Sequence, residues 1–231
     1  MRLAKGFLWV ICLGLLGAGI LALSYRLLGA AAGTEAGLIA IVQRAEREGL
    51  TLSVPGASTP LVSGQVHFDR FSASIEPQDA SAHVTCTLDF TGSMGATKVS
   101  SVGLEKIPFK YQRGQWVASS GFAPRLTRVV AALEARRRSL ETADRPGLRQ
   151  LLSSSTGPGS LGAELDQILS LSARRYQAMA WFIREERDQA VVTEEYHLTG
   201  RRSRQDVDEK GTRRLHLERR QEQFLFSEGI L

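Results

Sequence analysis

From Phe7 to Leu28 the chain is apolar almost without a break, FLWVICLGLLGAGILALSYRLL, interrupted only by Ser24, Tyr25 and Arg26. A run of about 20 apolar residues matches the hydrocarbon thickness of a bilayer, whereas a secretory signal core is shorter, roughly 7–15 residues. The pattern predicts a transmembrane signal anchor within residues 1–32. Trp9 and Tyr25 lie near its ends, and Arg2 and Lys5 precede it. That charge balance predicts a cytoplasmic N-terminus, a single pass through the inner membrane and a periplasmic body. Ala30-Ala31-Ala32 offers a cleavage site, so a removed signal peptide remains the alternative.

Beyond the span the apolar period changes twice. Leu38, Ile39, Ile41, Val42 and Ala45 recur at helical spacing, with Thr34 placed to cap and Gly49 to end the helix. Thr51–Gly64 reads as a loop. Strands follow over about 65–75, 82–90, 99–109 and 115–119. In the second of these Ala82, Val84, Cys86, Leu88 and Phe90 alternate with polar residues, the period of a strand with one buried face. Residues 111–114 read as a hairpin turn. A longer helix then places Leu126, Val129, Val130, Leu133 and Leu140 on one face, and Arg136, Arg137 and Arg138 mostly on the other. Asp144-Arg145-Pro146 opens a short helix, and a third helix covers about 161–172. Four strands close the chain over about 176–185, 190–198, 212–219 and 223–230. Two segments read as connections: Arg201–Gly211, which is charged, and Ser93–Gly103, which is nearly neutral.

The strand pattern repeats. At an offset of 108, Ala82, Val84, Thr85, Thr91, Gly92, Val99, Gly103, Gln115, Ser119 and Gly121 meet identical residues at 190, 192, 193, 199, 200, 207, 211, 223, 227 and 229. Such self-similarity predicts two copies of one α+β unit, over 33–120 and 121–231.

Charge and cysteine change the picture little. The net charge is +5, and nearly all the positive charge is Arg. Interleaved acids favour an ordinary solvated surface over an anionic partner. The clusters lack aromatic residues for base stacking, which argues against nucleic acid. Cys12 lies in the predicted span and Cys86 in a predicted strand, so they do not pair. Two Cys and four His give no zinc pattern. No nucleophile triad, phosphate loop or dinucleotide fingerprint is present, and no metal or cofactor is expected.

Residues 122–231 resemble the nuclear transport factor 2-like superfamily: helix, short helix, helix, then four antiparallel strands. Leu140-Glu141-Thr142-Ala143-Asp144 stands before the short helix. Asp188-Gln189-Ala190-Val191-Val192 opens a long strand, and Gly229-Ile230-Leu231 closes the chain. Residues 33–120 look like a reduced, cystatin-like copy. The resemblance implies helices packed on a curved four-stranded antiparallel sheet in each unit, forming a cone. It does not imply an activity, because this fold hosts isomerases, binders and pure interaction modules. A cytoplasmic stub, one span and outer domains is also similar to assembly components of conjugation and type IV secretion machines.

One pocket and one patch are candidates. Glu194 shares a strand face with Ala190, Val192, Tyr196 and Leu198. It is either a carboxylate beside Tyr196 inside the cone, or a rim residue paired with an Arg such as Arg213. Trp181 shares a strand phase with Met179 and Ile183 and joins Glu194 and Tyr196 as a pocket candidate. Cys86 occupies the equivalent of Glu194 in the first unit, so the two units share no catalytic carboxylate. His197, with Glu195, points to the opposite face, and His67 and His83 have no carboxylate at useful spacing. Arg201, Arg202, Arg204, Arg213, Arg214, Arg219 and Arg220 form a candidate basic patch. The expected function is a non-enzymatic, membrane-anchored interaction or assembly module with envelope protein partners and the bilayer, held through residues 7–28. The alternative is a small-molecule binder or enzyme using the second cone.

Overall fold

The structure, a computed structural model, describes residues 34–153 and 163–230. The predicted span and its flanks lie outside the described residues. Among the described residues no helix is long and apolar enough to cross a membrane.

Helix α1 (Glu35–Glu48) starts where expected: Thr34 Oγ1 accepts from the Gly37 amide at 3.2 Å, and Gly49 ends the helix at φ +77°. A two-residue strand β1 (Thr51–Leu52) follows, then β2 (Leu61–Glu76), β3 (Ser81–Met94), β4 (Thr97–Gln112) and β5 (Gln115–Ala118). The β4–β5 turn has Arg113 and Gly114 both at positive φ, the geometry of a tight hairpin. Helix α2 (Pro124–Thr142) carries Pro in its first turn, where a missing amide costs nothing. Helix α3 (Arg145–Gln150) is capped by Asp144, whose carboxylate accepts from the Gly147 amide at 3.0 Å. Helix α4 (Ala163–Leu169), shorter than expected, precedes β6 (Ser172–Glu186), β7 (Gln189–Arg202), β8 (Gln205–Arg220) and β9 (Gln223–Glu228).

All nine strands form one sheet, in the order β1-β2-β3-β4-β6-β7-β8-β9, with β5 also paired to β4. This differs from two separate antiparallel sheets. The pairing is antiparallel except at the seam, where Lys98–Gly103 of β4 run parallel to Ala180–Glu185 of β6. The chain is therefore α+β with a strongly curled mixed sheet. Strands β3, β4 and β5 begin 108 residues before β7, β8 and β9, respectively.

The segments expected to be connections, 93–103 and 201–211, are instead the tips of long hairpins. β3 turns into β4 through Gly95 and Ala96, and β7 into β8 through Ser203 and Arg204. Charge did not prevent strand formation, because opposite charges face each other across the ladder. Arg201 meets Asp206 at 3.0 Å and His197 meets Asp208 at 2.7 Å.

Helices cover the inner face only. Leu38 and Val42 of α1 pack beneath β2, and Leu126, Val129, Val130 and Leu133 of α2 lie against β4, β6 and β9. The alternation expected for β3 and β7 holds, so Ala82, Val84, Cys86, Leu88 and Phe90, and Ala190, Val192, Glu194, Tyr196 and Leu198, all point inward. A bulge between Ala178 and Ala180 breaks the phase expected for β6: Trp181 and Ile183 point in, and Met179 is exposed.

Candidate functional site

Glu194 and Arg136 are both 0 % exposed, and they form an ion pair at 2.8 Å. Glu194 Oε2 accepts from Arg136 Nη1 and from the Tyr176 hydroxyl at 2.6 Å, while Oε1 accepts from Trp181 Nε1 at 3.0 Å. The Arg136 Nε donates to the Ile230 carbonyl. Glu194 is thus deep rather than at the rim, and its ion pair is with Arg136 of α2. Arg136 itself corrects the expectation of a solvated arginine face. It lies three residues after Leu133 and four before Leu140, on the buried stripe. Arg137 does face outward, held by Glu134 and Glu141 at 2.7 Å each.

The pair is extended by stacking. Tyr176 and Tyr196 lie nearly parallel, 5.7 Å between centroids, with Arg136 5.4 Å from the Tyr176 ring and Arg213 4.0 Å from the Tyr196 ring and 6.0 Å from that of Tyr176. The Tyr196 hydroxyl donates to Glu209 at 2.5 Å. Gly211 makes this possible: a Cβ there would sit 2.7 Å from the Tyr196 hydroxyl oxygen. Burial lowers the Arg136 pKa, but Glu194 and Tyr176 together offset it and hold it above its ordinary value. Burial likewise raises the Tyr176 phenol. The chemical consequence is a fixed carboxyl group, hydrogen-bonded through both oxygens. Both of its oxygens already accept from side chains, so it does not stand ready as a general base.

A second buried cluster escaped the sequence reading. Glu105 of β4 accepts from the Arg125 amide at 3.0 Å and the Leu126 amide at 2.8 Å, so it caps α2, whose own cap residue Ala123 supplies no side-chain bond. Glu185 of β6 accepts from Ser101 Oγ at 3.3 Å and lies 3.5 Å from Arg125 Nε. Gly103 provides the room, since a Cβ there would come within 2.4 Å of the Glu185 Cβ. Burial, and then the Glu185 charge, raise Glu105 well above the usual carboxyl range. Burial pushes Glu185 up to about 7 against the opposing pull of Arg125. Cys86, paired with Glu105 across β3 and β4, is pushed up to about 12 by burial and then by that carboxylate. The Glu185 side chain is only 2 % exposed, although it lines a groove of about 660 Å³ with Leu104 and residues 186–189. Parity was the available signal, because Glu105 is in phase with Ile107 and Phe109, and Glu185 with Trp181 and Ile183.

The seven arginines of the candidate patch are spread along the β7–β8 hairpin rather than gathered. Arg201, Arg202 and Arg204 lie at one tip, Arg213 and Arg214 midway, and Arg219 and Arg220 at the other end. Arg201 meets Asp206, Arg219 meets Glu222 at 3.4 Å and Arg220 meets Glu218 at 3.1 Å. The two histidines read as lacking a carboxylate acquire one through the fold: His67 Nδ1 lies 2.9 Å from Glu46, which raises its pKa, and His83 lies 4.0 Å from Glu76. Among the described residues no three His, Cys, Asp or Glu converge as metal ligands.

The outer sheet face has a different character. Val102 and Leu104 of β4 and Met179 and Phe182 of β6 are 41–49 % exposed at the seam between the two halves. Lys98, Lys106 and Lys110 lie in phase with them on β4, exposed and without an ion-pair partner among the described residues.

No family model matches the chain, and no curated protein matches it. Several solved structures are similar to it, among them these three. One is a candidate ketosteroid isomerase from Shewanella frigidimarina NCIMB 400, at 14 % identity and TM-score 0.37, covering 42 % of this chain and 89 % of its own. The second is an NTF2-like protein involved in plasmid conjugation, at 8 % identity and TM-score 0.34, covering 75 % and 78 %. The third is Bdellovibrio bacteriovorus Bd1075, at 12 % identity and TM-score 0.39, covering 77 % and 79 %. Likenesses this loose carry no function across.

Proposed function

We propose that this chain is a membrane-anchored, extracytoplasmic interaction module, built by duplication of one α+β unit and held in the inner membrane through residues 7–28. The duplication reading is supported by strand starts that recur at an interval of 108. The observation that carries the interaction reading is the contrast between the two sheet faces. Inside, Glu194 is saturated by Arg136, Tyr176 and Trp181. Outside, Val102, Leu104, Met179 and Phe182 stand exposed near the seam, with Ser100 and Arg184 in register among them, beside three lysines that have no ion-pair partner among the described residues. An isolated exposed apolar side chain is ordinary, but a contiguous group across adjacent strands marks a contact surface. The lysines favour a partner with an acid-rimmed apolar surface, which we take to be an envelope protein.

The test is capture of tagged full-length protein from mildly solubilised membranes. A partner held by the wild type, lost with Phe182→Asp and weakened by Lys98→Glu with Lys106→Glu or by added salt, is the expected result. Capture indifferent to all three would remove the reading. Alkaline carbonate extraction tests the anchor separately, with retention in the membrane pellet expected and full release contradicting it. The alternative, a small-molecule site at Glu194, Tyr196 and Trp181, requires a ligand to displace Arg136, Tyr176 or Trp181 from the carboxylate. It is tested by ligand screening of the full chain against Glu194→Gln.

A further inference from the structure

We propose that Glu105 and Glu185 form a proton-operated latch at the junction of β4, β6 and α2, where protonation of the pair keeps the two halves of the sheet and the first turn of α2 together. The position is decisive. The six-pair β4–β6 ladder is the pairing that joins the halves, and it ends at Gly103–Glu185. Two residues further along β4, Glu105 holds the Arg125 and Leu126 amides that open α2. Both carboxylates therefore sit where three elements meet, and both are buried.

The groups facing the pair are few. Arg125 comes from α2, with Nη1 donating to the Leu104 carbonyl at 3.1 Å and Nε 3.5 Å from Glu185. Ser101 comes from β4, donating to Glu185. Cys86 comes from β3, and its raised pKa keeps it a neutral thiol across the physiological range. One guanidinium thus faces two carboxylates. With both ionised, the junction holds an excess negative charge away from water; with one proton between them it is neutral. Ionisation is opposed at Glu105 by burial and then by the Glu185 charge, and at Glu185 by burial. Both folded-state pKa values lie above the ordinary carboxyl value, so the closed junction binds more protons than the opened one. The stabilisation is then complete at pH below the ordinary carboxyl range, and the Glu185 share is lost as the pH rises through about 7. Glu105, raised as well, extends the loss upward. Alkaline medium loosens the seam, and acid medium tightens it.

Amide hydrogen exchange on the full-length protein in detergent micelles, from pH 5 to pH 8, reads this directly. After correction for chemical exchange, protection of residues 98–103, 180–185 and the first turn of α2 is expected to fall in the wild type. One linked proton sets a slope of up to about tenfold per pH unit between pH 5 and pH 7. In Glu185→Gln the slope between pH 5 and pH 7 is expected to diminish, leaving only the share of Glu105, which burial raises first. A wild type with flat protection, or a Glu185→Gln variant with an undiminished slope, would overturn the latch. Should the variant fold poorly, infrared difference spectra of the wild type decide the matter. A protonated carboxyl band that disappears as the pH is raised through about 7 is expected, and its absence overturns the proposal.

Discussion

Cys86 faces Glu105 across β3 and β4, and at the same interval of 108 residues Glu194 faces Arg213 across β7 and β8. The two pairs hold equivalent places on the inner face, but the acid has changed strands. In the first half a neutral thiol sits beside a carboxylate that reaches the N-terminus of α2. In the second a carboxylate takes the thiol's place and reaches Arg136, eleven residues further along the same helix, or about 16 Å. One fold thus uses two different solutions to hold one helix: backbone amides at its end, and a guanidinium in its middle. At these two equivalent places the buried acid meets donors from α2. The Glu105 and Glu194 carboxyls are consequently both occupied by donors from within the fold, while exposed apolar side chains lie on the outside of the sheet.

The comparison breaks most sharply at Arg136. Arg136→Met leaves Glu194 buried without its counter-charge, and chemical denaturation should show a loss of about 3–5 kcal/mol. Adding Glu194→Gln to that variant should recover a large part of it, because the pair rather than either member is what the core tolerates. A double variant no better than the single one would mean that Arg136 acts through packing alone.

The helix-end solution should be weaker. Glu105→Ala removes the cap of α2 and should cost about 1–2 kcal/mol at pH 5. It should cost less at pH 8, where removing one of two buried acids relieves Glu185. A penalty that grows with pH would contradict the assignment.

Between these sites, Arg174 offers a control that belongs to neither acid. Its guanidinium donates to the Leu140 and Glu141 carbonyls that end α2 and to the Leu169 and Leu171 carbonyls after α4. Arg174→Met should lower stability by about 1.5–3 kcal/mol, equally at pH 5 and pH 8. A clear pH dependence there would show that the pH effect is not specific to the Glu105–Glu185 junction.

The smallest effect on stability is expected outside. Phe182→Asp should change the unfolding free energy by no more than about 0.5 kcal/mol, since the side chain already faces solvent. A large loss would mean that the outer strip packs against something within the chain.

Much of this was legible before any coordinates. The period-2 runs put Cys86 on a buried face and Glu194 in phase with Ala190, Val192 and Leu198 while leaving its depth open, Thr34 and Gly49 bounded α1, and the repeat located equivalent strands. Three features were not. Arg136 was read with its neighbours as a solvated triplet, although its spacing from Leu133 and Leu140 already put it on the buried stripe. Residue type outweighed position, and here position decided. Glu105 and Glu185 were in phase with apolar neighbours, but acids within strands are usually read as outward. The parallel β4–β6 ladder joins residues some 80 apart, and local periodicity carries no record of such a pairing. Met179 was misplaced for a related reason: a bulge shifts strand phase without a marker in the sequence.

The most direct test of the claim that the working surface is the outer seam and not the inner carboxylate is a parallel capture from membranes. Full-length wild type, Phe182→Asp and Glu194→Gln would be compared for the partner each retains. The account predicts that Phe182→Asp loses the partner while Glu194→Gln keeps it. Retention by Phe182→Asp together with loss by a folded Glu194→Gln would contradict it and move the function into the cone.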